Sequence, residues 1–359
     1  MAVRLGNKIL PLPILQGGMG IGISLDRLAG AVAREGGMGT LSTAACGFLD
    51  PDYPKNPQKT NLRALDRQVR RARELAAGAG LVAVNAMAAT SQYADSVRTA
   101  LRAGVDAVVS GAGLPLNLPA LAREVPESTA ALAPIVSGGK AAGLICRAWD
   151  SRYGRVPDFV VLEGPKAGGH LGFPPETVQK NPLPALSGLL REVLDALAPF
   201  REKYGRDIPV FAAGGVANGG EMARLMREGA AGAQFATRFI AAEECDASRD
   251  YQDILLRAKG EDTVIVKSPV GMPGRALNSP LVRRVEAGTQ PHPRRCAGCL
   301  TPCKRLDSPY CISEALIAAW HGDWENGLFF CGSNVGQVNA RSTVHEQITQ
   351  IMTEWRQAQ

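Results

Sequence analysis

The stretch that decides the fold is Pro209-Val-Phe-Ala-Ala-Gly-Gly-Val216, followed farther on by Gly232-Ala-Gln-Phe-Ala-Thr-Arg-Phe239. Both are short apolar runs bounded by glycines, and the segment between them has helical character, which predicts a parallel β-α-β unit. The first run ends at Gly214 and Gly215, where a backbone without side chains can approach a ligand and direct N–H groups at it. The second run ends near Thr237, whose hydroxyl adds a further donor.

These two strands fit the end of a (β/α)8 barrel, because the loops after strands 7 and 8 form the usual phosphate site of that fold. Six earlier strands are then required. The chain supplies six more apolar runs, at Ile14–Met19, Gly37–Ser42, Leu81–Met87, Ala107–Gly113, Ala131–Ser137 and Phe159–Glu163. Such continuous apolar runs are typical of parallel strands that helices cover. The predicted fold class is therefore α/β, a TIM (β/α)8 barrel over residues 1–245, with a C-terminal extension over residues 246–359 that packs on it.

Composition and charge narrow the function classes. The chain has 359 residues, 45% of them hydrophobic, with 40 glycines and a net charge of +6. The densest charge cluster, Asp66–Glu74, is interpreted as the exposed face of a helix, so no nucleic-acid partner is expected. No apolar run approaches the roughly 18 residues that a membrane span needs, and no leader pattern opens the chain. We expect a cytoplasmic protein with no membrane partner, and a homo-oligomer remains an open alternative.

Several predicted strands end in glycine-rich or polar residues, at the barrel end that carries active sites. Gln16-Gly-Gly-Met19 follows strand 1, Asn85 lies in strand 3, and glycine-rich turns follow strands 4 and 5. This pattern favours a flat, phosphate-bearing cofactor that lies close to the backbone, although tight turns alone would also use glycine. A Rossmann fold is disfavoured, because strand 2 ends in Leu41-Ser-Thr43 without an acidic residue.

The loop after strand 6, Glu163-Gly-Pro-Lys-Ala-Gly-Gly-His-Leu-Gly172, is the most informative one. His170, one of only four histidines, lies there between small residues, and a positioned imidazole can take or give a proton near neutral pH. The alternative for His170 is a histidine in a surface loop. Lys166 is a candidate for holding an anionic group, with a solvated lysine as its alternative.

Four of these stretches together resemble the nitronate monooxygenase (2-nitropropane dioxygenase) family, which also contains the FMN-dependent enoyl-ACP reductases. The resemblance rests on Gln16–Met19, Ala167-Gly-Gly-His170, Ala212-Ala-Gly-Gly-Val216 and Gly232–Phe239, and it extends from Lys8 to Cys245. It implies an FMN-binding barrel in which His170 is the catalytic residue beside the substrate. The cofactor-binding residues that it implies, together with Lys166, are Gln16, Gly17, Gly18, Met19, Asn85, Gly169, Gly214, Gly215, Gln234, Phe235, Ala236 and Thr237.

The resemblance implies two chemistries. In a nitronate monooxygenase, an anionic nitronate reduces FMN and the reduced flavin meets oxygen. In an enoyl-thioester reductase, NAD(P)H or an iron–sulfur-linked redox partner reduces FMN, which passes hydride to a double bond. We expect the first activity, with a small-molecule substrate, and keep the second as the alternative. A flavin-free phosphate-binding barrel, an isomerase or a synthase, is the alternative from another class.

The C-terminal extension contains a compact cysteine cluster with the spacing Cys-x2-Cys-x3-Cys-x7-Cys. Four thiolates so close in sequence can surround one metal centre, and the spacing favours a [4Fe–4S] cluster over zinc. Free or disulfide-forming thiols are the third alternative. The predicted ligands are Cys296, Cys299, Cys303 and Cys311.

Overall fold

A closed barrel of eight parallel strands forms the centre of the computed structural model, which describes residues 1–180, 182–290, 292–293 and 296–359. We label the strands in chain order: β1 (Ile14–Gln16), β2 (Met38–Ser42), β3 (Leu81–Met87), β4 (Ala107–Gly111), β5 (Ala131–Val136), β6 (Val160–Glu163), β7 (Val210–Ala213) and β8 (Gly232–Phe235). Neighbours in the barrel are neighbours in sequence, and β8 pairs with β1 to close the ring. The predicted TIM barrel is confirmed.

Helices follow the strands and cover the outside of the barrel. They are Asp26–Arg34, Pro57–Ala76, Tyr93–Ala103, Leu118–Arg123, Gly139–Tyr153, Leu186–Tyr204 and Gly219–Arg227, with short turns at Pro175–Val178 and Thr237–Ile240. Gly219–Arg227 begins where the side chain of Asn218 accepts a hydrogen bond from the Glu221 N–H at 2.9 Å, which satisfies a free donor of the first turn.

The barrel interior is packed with side chains, so a ligand has no room to pass through it. Phe159 and Phe211 meet edge to face with ring centroids 5.9 Å apart, among alanine and valine side chains from the other strands. A hairpin formed by Val3–Leu5 and Lys8–Leu10 places two fully buried leucines in the same cluster. A ligand must therefore bind outside this packed interior. Barrel enzymes bind their substrates at the carboxyl ends of the strands.

The first barrel helix is capped by a residue distant in sequence. The hydroxyl of Ser24 accepts a hydrogen bond from the Met19 N–H at 2.7 Å. The carboxylate of Asp246 takes the capping role for the helix Asp26–Arg34, accepting from the Leu25 N–H at 2.7 Å. Strand β8 ends at Phe235, before the predicted end near Thr237, because the chain turns at once into Thr237–Ile240.

The C-terminal extension packs on the barrel. Its strands Thr263–Lys267 and Pro273–Leu277 form a sheet with Gly169–His170 from the loop after β6. Its helices are Arg249–Arg257, Pro280–Glu286, Ile312–Trp320 and Val344–Gln357, with short 3-10 turns at Gly260–Asp262 and Val335–Gln337.

The extension also has an apolar cluster of its own, which includes Val270, Leu300 and Tyr310. The division at residues 245 and 246 stays a prediction, which limited proteolysis would test. Across the described part of the chain, every helix is too short or too polar to span a bilayer.

Candidate active site

A cavity of about 450 Å³ lies where the loops after β6, β7 and β8 meet. We call it the anion cavity. Its walls include the backbone of Gly214 and Gly215, the side chain of Lys166, and the residues from Gln234 to Thr237 except Phe235. Of these positions, Gly214, Gly215 and Thr237 were predicted to hold a phosphate and Lys166 an anionic group, whereas Gln234 and Ala236 were predicted only as cofactor-binding residues.

The backbone of the anion cavity is shaped for a negatively charged group. Gly214 and Gly215 have φ values of +79° and +114°, and a Cβ on Gly214 would lie 2.5 Å from the Gly164 carbonyl oxygen. Within the described residues, the N–H groups of Gly214, Gly215 and Thr237 have no hydrogen-bond acceptor. The Thr237 hydroxyl accepts a hydrogen bond from the Gly332 N–H at 3.0 Å, so its own hydrogen is available for donation. These donors together fit a phosphate.

A second cavity of about 410 Å³ continues from the first across the ends of the strands. We call it the ring cavity. The two share Glu163, Gly168, Ala236 and Thr237 in their walls. The ring cavity is bordered mainly by apolar groups, among them Met19, Met87, Ile135 and Phe330. Its size and apolar walls suit a flat aromatic ring system.

His170 lies in the wall of the ring cavity, held by the loop after β6. Gly169 has a φ of +74°, and the two-residue strand Gly169–His170 pairs with Gly274 and Arg275. The imidazole Nε2 lies 2.7 Å from the Ser268 hydroxyl, and the ring meets Phe330 edge to face at 5.1 Å. Burial lowers the pKa of His170 to about 4, because the charged imidazolium is poorly solvated there. The side chain is therefore neutral at physiological pH.

Glu163, the last residue of β6, borders both cavities and was missed as a candidate site residue. Burial raises the pKa of its carboxyl group to about 7. Burial is the one cause of this rise, since no hydrogen bond or charge from the described residues offsets it. The signal was present in the sequence, since Glu163 occupies the strand-end position from which barrel enzymes take functional residues.

A third, small chamber of about 70 Å³ lies beyond the histidine. It shares Ala44, Met87, His170 and Leu316 with the ring cavity, so the imidazole stands between the two spaces. The C-terminal extension supplies part of its wall, including Cys299 and Ser313. Neither Cys299 nor Ser313 was predicted to border the cavity of the histidine.

The structure brings most of the predicted cofactor-binding residues to these cavities. Those that line a cavity are Gly18, Met19, Asn85, Lys166, Gly169, Gly214, Gly215, Gln234, Ala236 and Thr237, with His170 beside them. Gln16, Gly17 and Phe235 lie outside the cavity walls. Gln16 is fully buried, and its side-chain oxygen accepts a hydrogen bond from the Thr40 N–H at 2.9 Å, which joins β1 to β2.

The four predicted metal ligands do not form a metal site in the described part of the chain, where no three histidine, cysteine, aspartate or glutamate side chains could hold an ion together. Cys296 is exposed, whereas Cys299, Cys303 and Cys311 are half-buried. The Cys299 thiol accepts a hydrogen bond from the Ser313 hydroxyl at 3.1 Å. The described residues therefore lend no support to a [4Fe–4S] cluster or zinc, and the choice among cluster, zinc and free or disulfide-forming thiols stays a prediction.

A backbone cradle for an anion, opening into an apolar cavity beside a neutral histidine, is typical of barrel enzymes that use a phosphate-bearing cofactor. The comparison with known proteins narrows this class. The chain belongs to the nitronate monooxygenase family, whose model matches residues 5–354. It is therefore an oxidoreductase, and the family is FMN-dependent. A flavin-free isomerase or synthase does not fit this membership.

Individual relatives are distant. The chain is 30% identical to (3aS,4S,5R,7aS)-5-hydroxy-7a-methyl-1-oxo-octahydro-1H-indene-4-carboxyl-CoA dehydrogenase from Mycobacterium tuberculosis, with 77% of this chain and 66% of the relative aligned. It therefore spans just under two thirds of that relative. A probable nitronate monooxygenase from Staphylococcus saprophyticus is 26% identical, with 76% of this chain and 77% of the relative aligned.

Two solved structures show the same fold. FabK from Thermotoga maritima superposes with a TM-score of 0.72 at 26% identity, covering 97% of this chain and 94% of its own. A nitroalkane oxidase from Streptomyces ansochromogenes superposes with a TM-score of 0.70 over 97% of both chains. At 22% identity, the second likeness concerns the fold alone.

Proposed function

We propose that this protein is an FMN-dependent nitronate monooxygenase that oxidises compact alkyl nitronates. The observation that carries the proposal is the continuity of the anion cavity with the ring cavity, which ends at the neutral imidazole of His170. A cofactor that joins a phosphate to a flat ring system fits such a pair of spaces.

The residues of the anion cavity suit the FMN phosphate. The free N–H groups of Gly214, Gly215 and Thr237 would donate to its oxygens, and the Thr237 hydroxyl would add a fourth donor. Lys166 supplies a positive charge in the same wall. When bound, FMN supplies the redox chemistry, taking electrons from the substrate and giving them to oxygen.

The ring cavity and the small chamber provide the substrate with an apolar environment beside His170. Met19, Met87 and Leu316 provide apolar walls, which exclude water from the reacting centre. His170 is neutral there, so it has one ring N–H that can donate to an oxygen of the anionic nitronate and one nitrogen lone pair that can hold a proton. The remaining space next to it, about 70 Å³, favours a small alkyl group.

Enoyl-thioester reduction remains the second candidate, because the similarity to FabK from Thermotoga maritima extends over 97% of this chain. The small chamber beside His170 would hold only the reacting end of a thioester, since such a substrate is larger than an alkyl nitronate. NAD(P)H would then be the electron donor. We also propose a cytoplasmic location, because all eight cysteines are free thiols, as is usual in a reducing compartment.

Steady-state assays with two substrate sets test the proposal. Purified protein is mixed either with an alkyl nitronate in air, following oxygen uptake, or with NAD(P)H and an enoyl thioester, following absorbance of the nicotinamide. We expect turnover with the nitronate and none with the second pair. The reverse result would replace the proposed function with the reductase. His170→Ala, which keeps the anion cavity intact, is the control for turnover outside this site.

A further inference from the structure

The anion cavity and the ring cavity meet at a border of shared residues, Glu163, Gly168, Ala236 and Thr237. A ligand with its phosphate in the first space and its ring in the second must pass this border. Gly168 and Ala236 have no polar side-chain atom. The Thr237 hydroxyl accepts from the Gly332 N–H at 3.0 Å, and its hydrogen is available to the phosphate. Glu163 is therefore the member of the border whose polar side chain has no task assigned so far.

The direction of the Glu163 side chain follows from the alternation of side chains along β6. Phe159, just before the strand, and Val161 belong to the cluster that fills the barrel interior. Val160 and Leu162 belong to the cluster between the strands and the covering helices. Because successive side chains of a strand point to opposite faces, Glu163 points inward with Phe159 and Val161. It is the last residue of β6, so its carboxyl group lies above the packed interior, at the mouth of the barrel.

The carboxyl group of Glu163 is open to both cavities. Val161 and Leu162 are fully buried, whereas Glu163 is half-buried and borders each cavity. Its neighbour across the β6–β7 pair is Ala213, whose small methyl group leaves space beside it. No hydrogen bond or charge from the described residues offsets the burial that raises its pKa. A polar group at this depth ordinarily has a hydrogen-bond partner, which a bound ligand can supply here.

The part of FMN that would pass Glu163 is the ribityl chain, which joins the phosphate to the ring system and carries several hydroxyl groups. A hydroxyl group both donates and accepts hydrogen bonds. A carboxyl group accepts in its ionised form, and in its protonated form it also donates. The two groups are therefore complementary in either protonation state of Glu163. A hydroxyl group placed at the border without such a partner would weaken binding.

We propose that Glu163 binds the hydroxylated chain between the phosphate and the ring of the flavin, and so favours FMN over a phosphorylated flavin whose chain lacks hydroxyl groups. This inference rests on the proposed function for FMN as the cofactor, but not for a nitronate as the substrate. It gives Glu163 a task in cofactor recognition that is separate from the phosphate donors and from His170.

The test is flavin binding to the apoprotein, measured by the quenching of flavin fluorescence. The two probes are FMN and an analogue with an unsubstituted alkyl chain of the same length between ring and phosphate. We expect the unaltered protein to bind FMN about tenfold or more tightly than the analogue, because the analogue leaves the carboxyl group without a partner. Glu163→Ala should bind FMN more weakly and lose most of this preference.

Two further variants separate hydrogen bonding from other effects of the substitution. Glu163→Gln has an amide that donates and accepts, so it should retain a preference for FMN. Glu176→Ala removes an exposed carboxyl group from the turn Pro175–Val178, outside the walls of both cavities. It should bind both probes as the unaltered protein does. Circular dichroism of each apoprotein checks that the barrel is folded.

Equal affinity of the unaltered protein for FMN and the analogue would overturn the inference, and this result needs no variant. A preference that Glu163→Ala keeps in full would also overturn it. If Glu163→Ala loses the preference but the unaltered protein does not turn over nitronates, the proposed substrate is wrong and the role of Glu163 stands. If nitronates are turned over and the preference is absent, the proposed function stands alone. Binding of neither probe would overturn both.

Discussion

Replacing Glu163 by glutamine tests the electrostatics of the site through protein stability. The carboxyl group lies between the two cavities, and burial raises its pKa from 4.5 to about 7. At 1.36 kcal/mol for each pKa unit, ionising it in the folded protein costs about 3 kcal/mol more than in the unfolded chain. Glutamine has nearly the same shape and no charge to bury.

The direction in which stability changes with pH follows from proton binding. Between pH 4.5 and about 7 the folded protein keeps the Glu163 proton and the unfolded chain loses it, so the free energy of unfolding falls as pH rises. This loss is absent in Glu163→Gln. We expect the variant to be more stable than the unaltered protein by about 3 kcal/mol above pH 7, with the difference vanishing near pH 4.5.

The assay is urea unfolding of flavin-free protein at several pH values, followed by circular dichroism. Glu124→Gln is the control, because a hydrogen bond from Arg98 lowers the pKa of that exposed carboxyl group. Its removal should act in the opposite direction, destabilising the protein above the ordinary pKa of glutamate. A difference between Glu163→Gln and the unaltered protein that does not change with pH would refute the reasoning.

Three further predictions concern the cofactor site and the extension. His170→Ala should keep FMN but lower nitronate turnover by a hundredfold or more, and turnover in the unaltered protein should fall only as pH drops through about 4. Gly215→Ala should weaken FMN binding about tenfold or more, because φ is +114° and the new Cβ would lie 3.0 Å from the Lys166 Cβ. Cys299→Ser should leave iron, zinc and flavin content unchanged, because no three metal-ligating side chains come together within the described residues.

Each of these has its own check. If His170→Ala lost its flavin, the histidine would be assigned to cofactor binding and not to catalysis. Gly205→Ala is the control for Gly215→Ala, since Gly205 also has a positive φ, +58°, but has no atom within 4 Å of the added methyl group. If both substitutions weakened FMN binding equally, backbone strain alone would account for the effect of Gly215→Ala. If the unaltered protein contained stoichiometric iron and Cys299→Ser did not, the [4Fe–4S] cluster would be supported.

The barrel could be predicted because each strand is a continuous apolar run ended by glycine or a polar residue, a pattern that depends only on local sequence. The anion cavity could be predicted for the same reason, since Gly214, Gly215 and Thr237 follow directly on β7 and β8. The contact of Gln16 with the Thr40 N–H could not be predicted, because only the register of β1 decides where its side chain points.

The contribution of the extension could not be predicted. Ser268 lies 98 residues from its partner His170, and Phe330 is farther still. Nothing in the neighbouring sequence marks these residues, because their role depends on how the extension folds back onto the barrel. Similarly, the cysteine spacing suggested a metal, whereas within the described residues no three metal-ligating side chains are arranged to hold one.

The most direct test of the central claim is anaerobic mixing of the purified protein with an alkyl nitronate, recorded as a visible absorbance spectrum. The account predicts flavin absorbance in the purified protein, its loss on addition of the nitronate, and its return when oxygen is admitted. Flavin absorbance that the nitronate leaves unchanged, but that NAD(P)H abolishes, would contradict the account and assign the site to the reductase.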